Sequence, residues 1–218
     1  MELLELMKQR HSIRKYLAQP IEEEKRAVLD AMAAQLNEES GMNIQLIYDE
    51  PKCFSSMFIS HYGAFSGCSN YICLVGSKSD PELDEKSGYY GEQLVLKAQE
   101  LGLNTCWVAL THGKTTARVG RDETQTIVIA LGYGAEQGRP HKSKALSAVC
   151  SAKGEVPEWF KAGMEAVLLA PTAVNQQKFL FDLQGETVTA KSRGGICSKI
   201  DLGIVKYHFE AVSGHKVK

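Results

Sequence analysis

The chain has 218 residues, 44% of them hydrophobic, and a formal net charge of −1 at pH 7. This length and apolar content are sufficient for a core shared by one or two domains. A charge so close to zero gives no general attraction to nucleic acid or to an anionic membrane surface, so neither is predicted as a partner.

The N-terminus shows no targeting pattern. Residues Met1–Glu5 lack the basic and then apolar order of a signal peptide, and no apolar run approaches the roughly 20 residues of a transmembrane helix. We therefore expect a cytoplasmic protein. The six cysteines form no Cys-x-x-Cys pair and no histidines lie at zinc spacing, so we predict reduced, mostly buried thiols and no metal site.

Hydrophobic periodicity predicts five elements in the N-terminal region of the chain. Two segments place their apolar side chains on one stripe at helical spacing, and a glycine follows each of them. Three shorter segments are alternating or β-branched and apolar, as is typical of strands. The predicted helices are 22–36 and 89–101, and the predicted strands are 44–48, 71–75 and 126–131.

The C-terminal region begins with residues 135–156, which are rich in Gly, Ser and Lys and are predicted as a loop and linker. A helix follows from Pro157, where proline suits the first turn. Residues 179–190 are predicted as a hairpin around Gln184-Gly185, because two strand-like runs flank that dipeptide. A last helix is predicted over 201–213.

The two regions resemble each other weakly. A helix, a polar Asn and Gln segment and a strand occur at 27–48 and again at 163–183. Each region also contains a pair of glycines eleven residues apart, Gly91 with Gly102 and Gly203 with Gly214. The pattern predicts an internal duplication, in which the chain folds as one pseudo-dimer.

Three short segments, far apart in the sequence, together resemble the nitroreductase family of FMN-dependent oxidoreductases. They are Arg10–Arg14 (RHSIR), Leu101–Val108 (LGLNTCWV) and Ala170–Gln177 (APTAVNQQ). In typical members the Pro-Ser/Thr-x-x-Asn segment follows soon after the N-terminal arginines and comes from the partner subunit of an obligate dimer. Here it lies late in the chain, so the resemblance implies that one chain supplies both portions of a flavin site.

The resemblance implies the nitroreductase α+β fold, in which a mixed sheet is flanked by helices. Internally duplicated, nitroreductase-like members are the most similar, which implies a single-chain pseudo-dimer with halves at 1–150 and 151–218. The counterpart of the Pro-containing segment in the first half, residues 36–40, lacks the Pro and the Ala. We therefore expect one competent flavin site per chain, in a monomer or weak homodimer.

The RHSIR segment concentrates groups that suit a phosphate dianion, namely two guanidinium groups and a hydroxyl within five residues. By resemblance, the contacts to the phosphate and ribityl chain are Arg10, His11, Ser12 and Arg14. The same residues also fit a solvated helix end with no ligand. Lys142 and Lys144 match a basic pair that family members place on the same phosphate, or else a flexible basic loop.

By resemblance, backbone groups of four residues meet the isoalloxazine ring, and the Ala109 N–H is the donor to flavin N5. These residues are Trp107, Val108, Ala109 and Leu110. The alternative is an ordinary helix-to-strand turn with a core tryptophan. The residues expected to close over the flavin are Pro171, Thr172, Ala173 and Asn175, which would otherwise form a proline-broken helix end with polar caps.

The function implied by the resemblance is FMN-dependent oxidoreduction. NAD(P)H would pass hydride to the flavin, and a small nitroaromatic or quinone-type acceptor would then take electrons at the same ring face, in a ping-pong sequence. No side chain is required as acid or base, so no catalytic residue is predicted. The alternatives are a flavin-binding protein for storage or sensing with little turnover, or a fold that persists without flavin.

Overall fold

The computed structural model describes residues 2–54 and 65–218. His61 and Tyr62, for which no functional role is predicted, fall outside these residues. The helices are α1 (Leu3–Gln9), α2 (Glu23–Ser40), α3 (Leu83–Glu100), α4 (Leu146–Val149), α5 (Glu158–Val167) and α6 (Ser198–Ser213), with 3-10 turns at Pro51–Phe54 and Ala173–Asn175. The strands are β1 (Gln45–Ile47), β2 (Asn70–Ser77), β3 (Asn104–Val108), β4 (Glu123–Gly132), β5 (Cys150–Ala152), β6 (Phe179–Gln184) and β7 (Thr187–Ser192).

The chain forms two compact units, each built from separate stretches of sequence. The four-stranded unit comprises Arg10–Leu83 and Leu94–Arg139, and the three-stranded unit comprises Met1–Gln9, Asp84–Gln93 and Pro140–Lys218. The halves predicted at 1–150 and 151–218 are internal repeats and not compact units, and that duplication stays a prediction.

The four-stranded unit contains an antiparallel sheet in the order β1-β2-β4-β3. The central strand β2 is buried along nearly its whole length, and α2 packs against β1. One face of the sheet carries a core to which alternate residues of β2, β3 and β4 contribute, as the period of two requires. This core consists of Ile13, Tyr16, Cys53, Phe54, Cys68, Tyr71, Cys73, Val75, Cys106, Val108, Val128 and Ala130.

All six cysteines are free thiols, and four of them are buried in this unit. Burial raises the pKa of every cysteine thiol in the chain. A thiol with a raised pKa carries little thiolate at neutral pH and is therefore a poor nucleophile.

The three-stranded unit pairs β5 with β6 in parallel and β6 with β7 antiparallel. Its core is the packing of α5 on α6, where the aromatic rings of Phe160, Phe181 and Phe209 meet. Gly163 permits this packing, since a Cβ there would lie 2.6 Å from the Phe209 ring.

Within the same unit, the first half of α3 crosses α6 at two glycines. A Cβ on Gly88 would lie 2.0 Å from the Ile200 carbonyl oxygen, and a Cβ on Gly203 would lie 1.9 Å from that of Glu85. Gly88 lies three residues after Glu85, which Gly203 contacts. Gly203 likewise lies three residues after Ile200, which Gly88 contacts. Reciprocity of this kind is what a two-fold axis would produce. In the structure Gly88 is thus the counterpart of Gly203. The spacing in the sequence instead pairs Gly203 with Gly91. The pseudo-dimer itself stays a prediction.

The structure shows the α+β arrangement expected from the sequence, with antiparallel sheets flanked by helices. Every predicted helix and strand is present, although α3 begins at Leu83 rather than at residue 89. One expectation was wrong, because the supposed loop 135–156 contains α4 and β5. Strand β3 was not predicted. Both strands are short and are defined by partners distant in sequence, so local periodicity does not reveal them.

Candidate functional site

The RHSIR segment begins an extended stretch across the four-stranded unit. Ser12 forms a parallel bridge with Thr105 of β3, and the Ile13 N–H donates to the Thr105 carbonyl over 3.1 Å. Further on, the Tyr16 N–H donates to the Ser66 carbonyl over 2.8 Å. Ile13 is buried in the sheet core and anchors the segment. Neighbouring side chains in an extended chain point to opposite sides, so Ser12 and Arg14 are directed away from the Ile13 side.

Arg10 is almost fully buried, with 4% of its surface exposed. Its Nε and one terminal nitrogen have no hydrogen-bond partner among residues 2–54 and 65–218. A buried guanidinium cannot lose its proton, and leaving its donors unpaired costs several kcal/mol. Such a group fits a site that an anion completes.

His11 offers a second unsatisfied buried atom in the next residue. Its Nδ1 lies 2.9 Å from the Gln137 carbonyl oxygen. A carbonyl only accepts, so Nδ1 carries a proton. Nε2 is buried and has no partner within the described residues of the chain. Nε2 is therefore the ring nitrogen that is left to form a hydrogen bond with a ligand. Gly138, with φ of 68°, packs against His11, since a Cβ there would lie 2.8 Å from the His11 Cβ.

Positive charge from this segment extends to β3. Burial raises the pKa of the Cys106 thiol, whereas the charge of Arg14, the neighbouring Ser12 hydroxyl and the charge of Arg10 act in the opposite direction. The Arg14 side chain is exposed and Ser12 is half-buried. The end of β3 next to Ser12 thus lies in a positive potential that favours anionic ligands.

Strand β3 is an edge strand of the sheet and carries two of the four predicted ring contacts. Trp107 pairs with Ile129 and Val108 pairs with Val128 of β4. Ala109 and Leu110 follow the end of the strand and are exposed. Alternate residues of an edge strand direct their backbone groups away from the neighbouring strand. Backbone donors and acceptors can therefore be presented to a ligand here.

The other predicted residues lie together in the three-stranded unit, around the buried amide of Gln177. The Gln177 Nε2 donates to the Lys142 carbonyl (2.9 Å) and to the Asn175 Oδ1 (2.8 Å), and Oε1 accepts from the Lys144 N–H (2.8 Å). The Gln177 N–H donates to the Thr172 hydroxyl over 3.1 Å. One side chain, 3% exposed, thus joins the basic loop to the Pro-containing segment.

Lys144 and Asn175 are also bonded within this cluster. The Lys144 ammonium donates to the carbonyls of Gln176 (2.7 Å) and Gln177 (3.1 Å). The Asn175 amide donates to the Lys142 carbonyl over 3.0 Å. The ammonium of Lys144 therefore stabilises the Pro-containing segment, and it would have to exchange these bonds to bind a phosphate.

The Pro-containing segment adopts an uncommon backbone. Val174, Asn175 and Gln177 have φ values of 46°, 53° and 44°. Left-handed conformations are strained for residues other than glycine and most of all for a β-branched residue such as Val174. Val174 is nevertheless 62% exposed, so packing of its own side chain does not hold it there. Residues in such conformations concentrate at functional sites.

Asp201, in the first turn of α6, was not predicted as a site residue. Its Oδ1 accepts from the Ala173 N–H (2.9 Å) and its Oδ2 accepts from the Gln176 amide (2.7 Å). Burial raises the pKa of Asp201 to about 6. Its position on a helix was predictable, but its burial was not, because an acidic residue in a first turn is ordinarily solvated.

The predicted residues thus form two sets, one in each unit. The four-stranded unit holds Arg10, His11, Ser12, Arg14, Trp107, Val108, Ala109 and Leu110, and the three-stranded unit holds Lys142, Lys144, Pro171, Thr172, Ala173 and Asn175. The expectation that both sets serve one flavin stays a prediction. Unpredicted residues with clear roles in the local geometry are Gln137, Gly138, Gln177 and Asp201.

Comparison with known proteins identifies the class. The family model described as "Putative TM nitroreductase" matches residues 2–213. The chain therefore belongs to this nitroreductase family, as the three motifs predicted. No curated protein matches the sequence. Among the residues that the structure describes, no helix has the length and apolar character to span a membrane.

Solved structures show the same fold at low sequence identity. A "putative nitroreductase" from Thermotoga maritima is 20% identical, with a TM-score of 0.69, and the match covers 97% of this chain and 83% of that one. A "putative nitroreductase in complex with FMN" from Desulfovibrio desulfuricans is 21% identical, with a TM-score of 0.52 over 68% of this chain and 95% of that one.

A third structure, a "putative NADH dehydrogenase/NAD(P)H nitroreductase" from Bacteroides thetaiotaomicron, is 19% identical, with a TM-score of 0.52 over 67% of this chain and 95% of that one. These likenesses establish the nitroreductase-like α+β fold for this chain.

Proposed function

We propose that the protein is an FMN-dependent oxidoreductase that passes hydride or electrons from NAD(P)H to nitroaromatic or quinone-type acceptors by a ping-pong mechanism. Family membership supports oxidoreductase chemistry. The observation that carries the choice of cofactor is the buried Arg10 guanidinium, whose Nε and one terminal nitrogen lack partners among the described residues. An anionic group that enters this position would satisfy those donors.

The neighbouring residues fit the remaining chemistry of a ribityl phosphate. The His11 Nδ1 donates to the Gln137 carbonyl, and Nε2 has no partner among the described residues, so Nε2 can form a hydrogen bond with a hydroxyl group. Ser12 follows His11 directly and adds a hydroxyl, and Arg14 follows soon after and adds positive charge. A phosphate and a hydroxylated chain are therefore recognised by different atoms of one short segment.

Bound FMN would supply the hydride acceptance and donation that side chains cannot provide. The chain's own residues bind and orient it. Arg10, Ser12 and Arg14 hold the phosphate, and backbone groups at the end of β3, from Trp107 to Leu110, meet the ring edge. Fixed backbone dipoles at a reacting centre need no reorganisation during the reaction.

The Pro-containing segment and Lys142 and Lys144 are proposed as further flavin contacts. The left-handed backbone at Val174 and Asn175 supports a functional role for this segment. Lys144 contributes less than the sequence suggested, because its ammonium is bonded to two backbone carbonyls.

The visible spectrum and flavin stoichiometry of the purified chain test the proposal. We expect absorption typical of flavin with about one FMN per chain, anaerobic bleaching by NADH or NADPH, and steady-state oxidation of NAD(P)H with menadione. Colourless protein that does not take up added FMN would overturn it. A stoichiometry near two FMN per chain would contradict the expectation of a single competent site.

A second candidate is a flavin-binding protein for storage or sensing. The observation that favours it is the use of Lys144 as a structural bond, which removes one cation from the predicted phosphate site. Such a protein would be yellow but would not bleach with NADH or NADPH in the absence of oxygen.

A further inference from the structure

The carboxylate of Asp201 spans the turn of the Pro-containing segment. One oxygen accepts the Ala173 backbone N–H at the start of the turn, and the other accepts the Gln176 side-chain amide near its end. A single rigid group thus sets the separation of the two ends. The turn between them includes the left-handed residues Val174 and Asn175.

The Gln176 side chain fits closely against the loop that precedes α6. Its Nε2 donates to the Ile196 carbonyl (2.7 Å) as well as to Asp201. Gly195, with φ of 111°, leaves room for the amide, since a Cβ there would lie 2.1 Å from the Gln176 Oε1. The orientation of the amide is therefore determined, with its nitrogen toward Asp201.

Only a carboxylate satisfies both donors in this arrangement. Asparagine at 201 would keep one acceptor oxygen but would turn its own amide hydrogens toward the Gln176 nitrogen. If Gln176 rotated to avoid this, its oxygen would face the Ile196 carbonyl. Two donors or two acceptors would then face each other, and neither arrangement forms a hydrogen bond.

This carboxylate is retained at a cost. Asp201 is 4% exposed, and burial raises its pKa although both donors act to lower it. Burial raises the pKa of the nearby Cys197 thiol, and the negative charges of Asp201 and Asp84 act in the same direction. Strained turns and perturbed carboxylates both concentrate at functional sites, and here the two occur together.

We propose that Asp201 is a positioning residue for flavin binding, because it fixes the Thr172–Gln177 turn in the conformation that contacts FMN. This inference rests on the proposed function. It assigns to Asp201 no contact with FMN and no role in chemistry. Its effect is transmitted through Ala173 and Gln176.

The test uses the full chain in four forms: wild type, Asp201→Asn, Gln176→Ala and the double variant. Asp182→Asn is the matched control, because it removes one carboxylate from a half-buried position of β6 in the same unit. Amide hydrogen exchange of the flavin-free proteins is measured by mass spectrometry. We expect exchange in peptides covering 171–178 to rise at least tenfold in Asp201→Asn, with α5 unchanged and Asp182→Asn like wild type.

The second measurement is FMN affinity, from quenching of flavin fluorescence. Loss of a charge-assisted hydrogen bond predicts roughly tenfold weaker binding for Asp201→Asn. The double variant should bind no more weakly than the weaker single variant, because both substitutions break the same link. The spectrum of bound FMN should shift in the same variants. General destabilisation would instead give additive effects and an unchanged spectrum.

The outcomes separate the two ideas. If wild type binds no FMN, the proposed function fails, and the positioning proposal fails with it even where exchange shows that Asp201 holds the turn. If wild type binds FMN and Asp201→Asn binds it equally well, the positioning proposal alone is overturned. Should Asp201→Asn not fold by circular dichroism, Gln176→Ala gives the same two readings, and normal exchange with normal affinity there contradicts the proposal.

Discussion

The two regions that carry the predicted site residues differ in how their buried polar groups are satisfied. In the four-stranded unit, Arg10 and His11 hold buried nitrogens without partners among residues 2–54 and 65–218. In the three-stranded unit, Gln177 and Asp201 are as deeply buried, yet hydrogen bonds join them to neighbouring segments. Unpaired buried polar groups are costly, so the first region is suited to a ligand and the second to maintaining a shape.

This difference has a measurable consequence. Residues of the first region should matter more to FMN affinity than to the stability of the flavin-free chain. Residues of the second region should matter to the stability of the flavin-free chain directly. The effects expected at Arg10 and Asp201 are similar in size and are the largest, and the effect at Gly138 is the smallest.

Arg10→Ala should weaken FMN binding roughly a hundredfold, because it removes the buried cation that an anion would pair with. The flavin-free variant should be as stable as wild type or more stable, since the unpaired guanidinium is lost. Flavin titration and thermal unfolding measure the two effects. Arg121→Ala, at an exposed position, is the control. If Arg10→Ala greatly lowered stability and left FMN affinity unchanged, Arg10 would maintain the fold and would not bind the ligand, contrary to this assignment.

The pH dependence of stability tests the cost of burying Asp201. The folded chain binds the Asp201 proton with a pKa of about 6, above the usual range for an aspartate. Folding is therefore helped below about pH 4, and that help is lost as the pH rises to about 6. The unfolding free energy of wild type should fall by about 3 kcal/mol relative to Asp201→Asn over this interval. A constant difference between the two proteins would show that this carboxylate is not desolvated.

Gln177→Ala should lower the unfolding free energy of the flavin-free chain by about 2 kcal/mol, because it leaves buried partners of the amide unsatisfied. Denaturant titration measures the loss. Gln184→Ala, on the exposed end of β6, should change stability little. If both variants behave alike, the hydrogen bonds around Gln177 do not stabilise the segment.

Gly138→Ala should cost about 1 kcal/mol more than Gly154→Ala. Both glycines have positive φ, so each substitution brings backbone strain. Only at Gly138 would the added Cβ also press on His11 and Ile13, whereas nothing lies within 4 Å at Gly154. The difference in unfolding free energy isolates the packing over His11. Equal losses would mean that the loop moves away without cost, and that His11 is not held by it.

Much of the fold could be predicted from the sequence because its signals are local. The stripe of α2, the glycine after it and the hairpin of β6 and β7 depend on neighbouring residues only. The strand β3 could not be predicted, because it has only five residues and becomes a strand only through its pairing with β4. The parallel pairing of β5 with β6 joins Cys150 to Phe181 across the intervening helix α5 and is equally non-local.

For the candidate site, the sequence by itself determined which chemical groups are present and the family to which they belong. The RHSIR and APTAVNQQ motifs carry that information in residue identity and spacing, which do not depend on folding. Only the tertiary structure decided which of those groups are satisfied. Among the described residues, the buried Arg10 has no partner for its Nε, and the Lys144 ammonium is bonded to two carbonyls. Asp201 accepts a hydrogen bond from Ala173, which lies 28 residues earlier in the chain. Burial and hydrogen-bond partners arise from contacts between distant segments, so they exist only once the chain has folded.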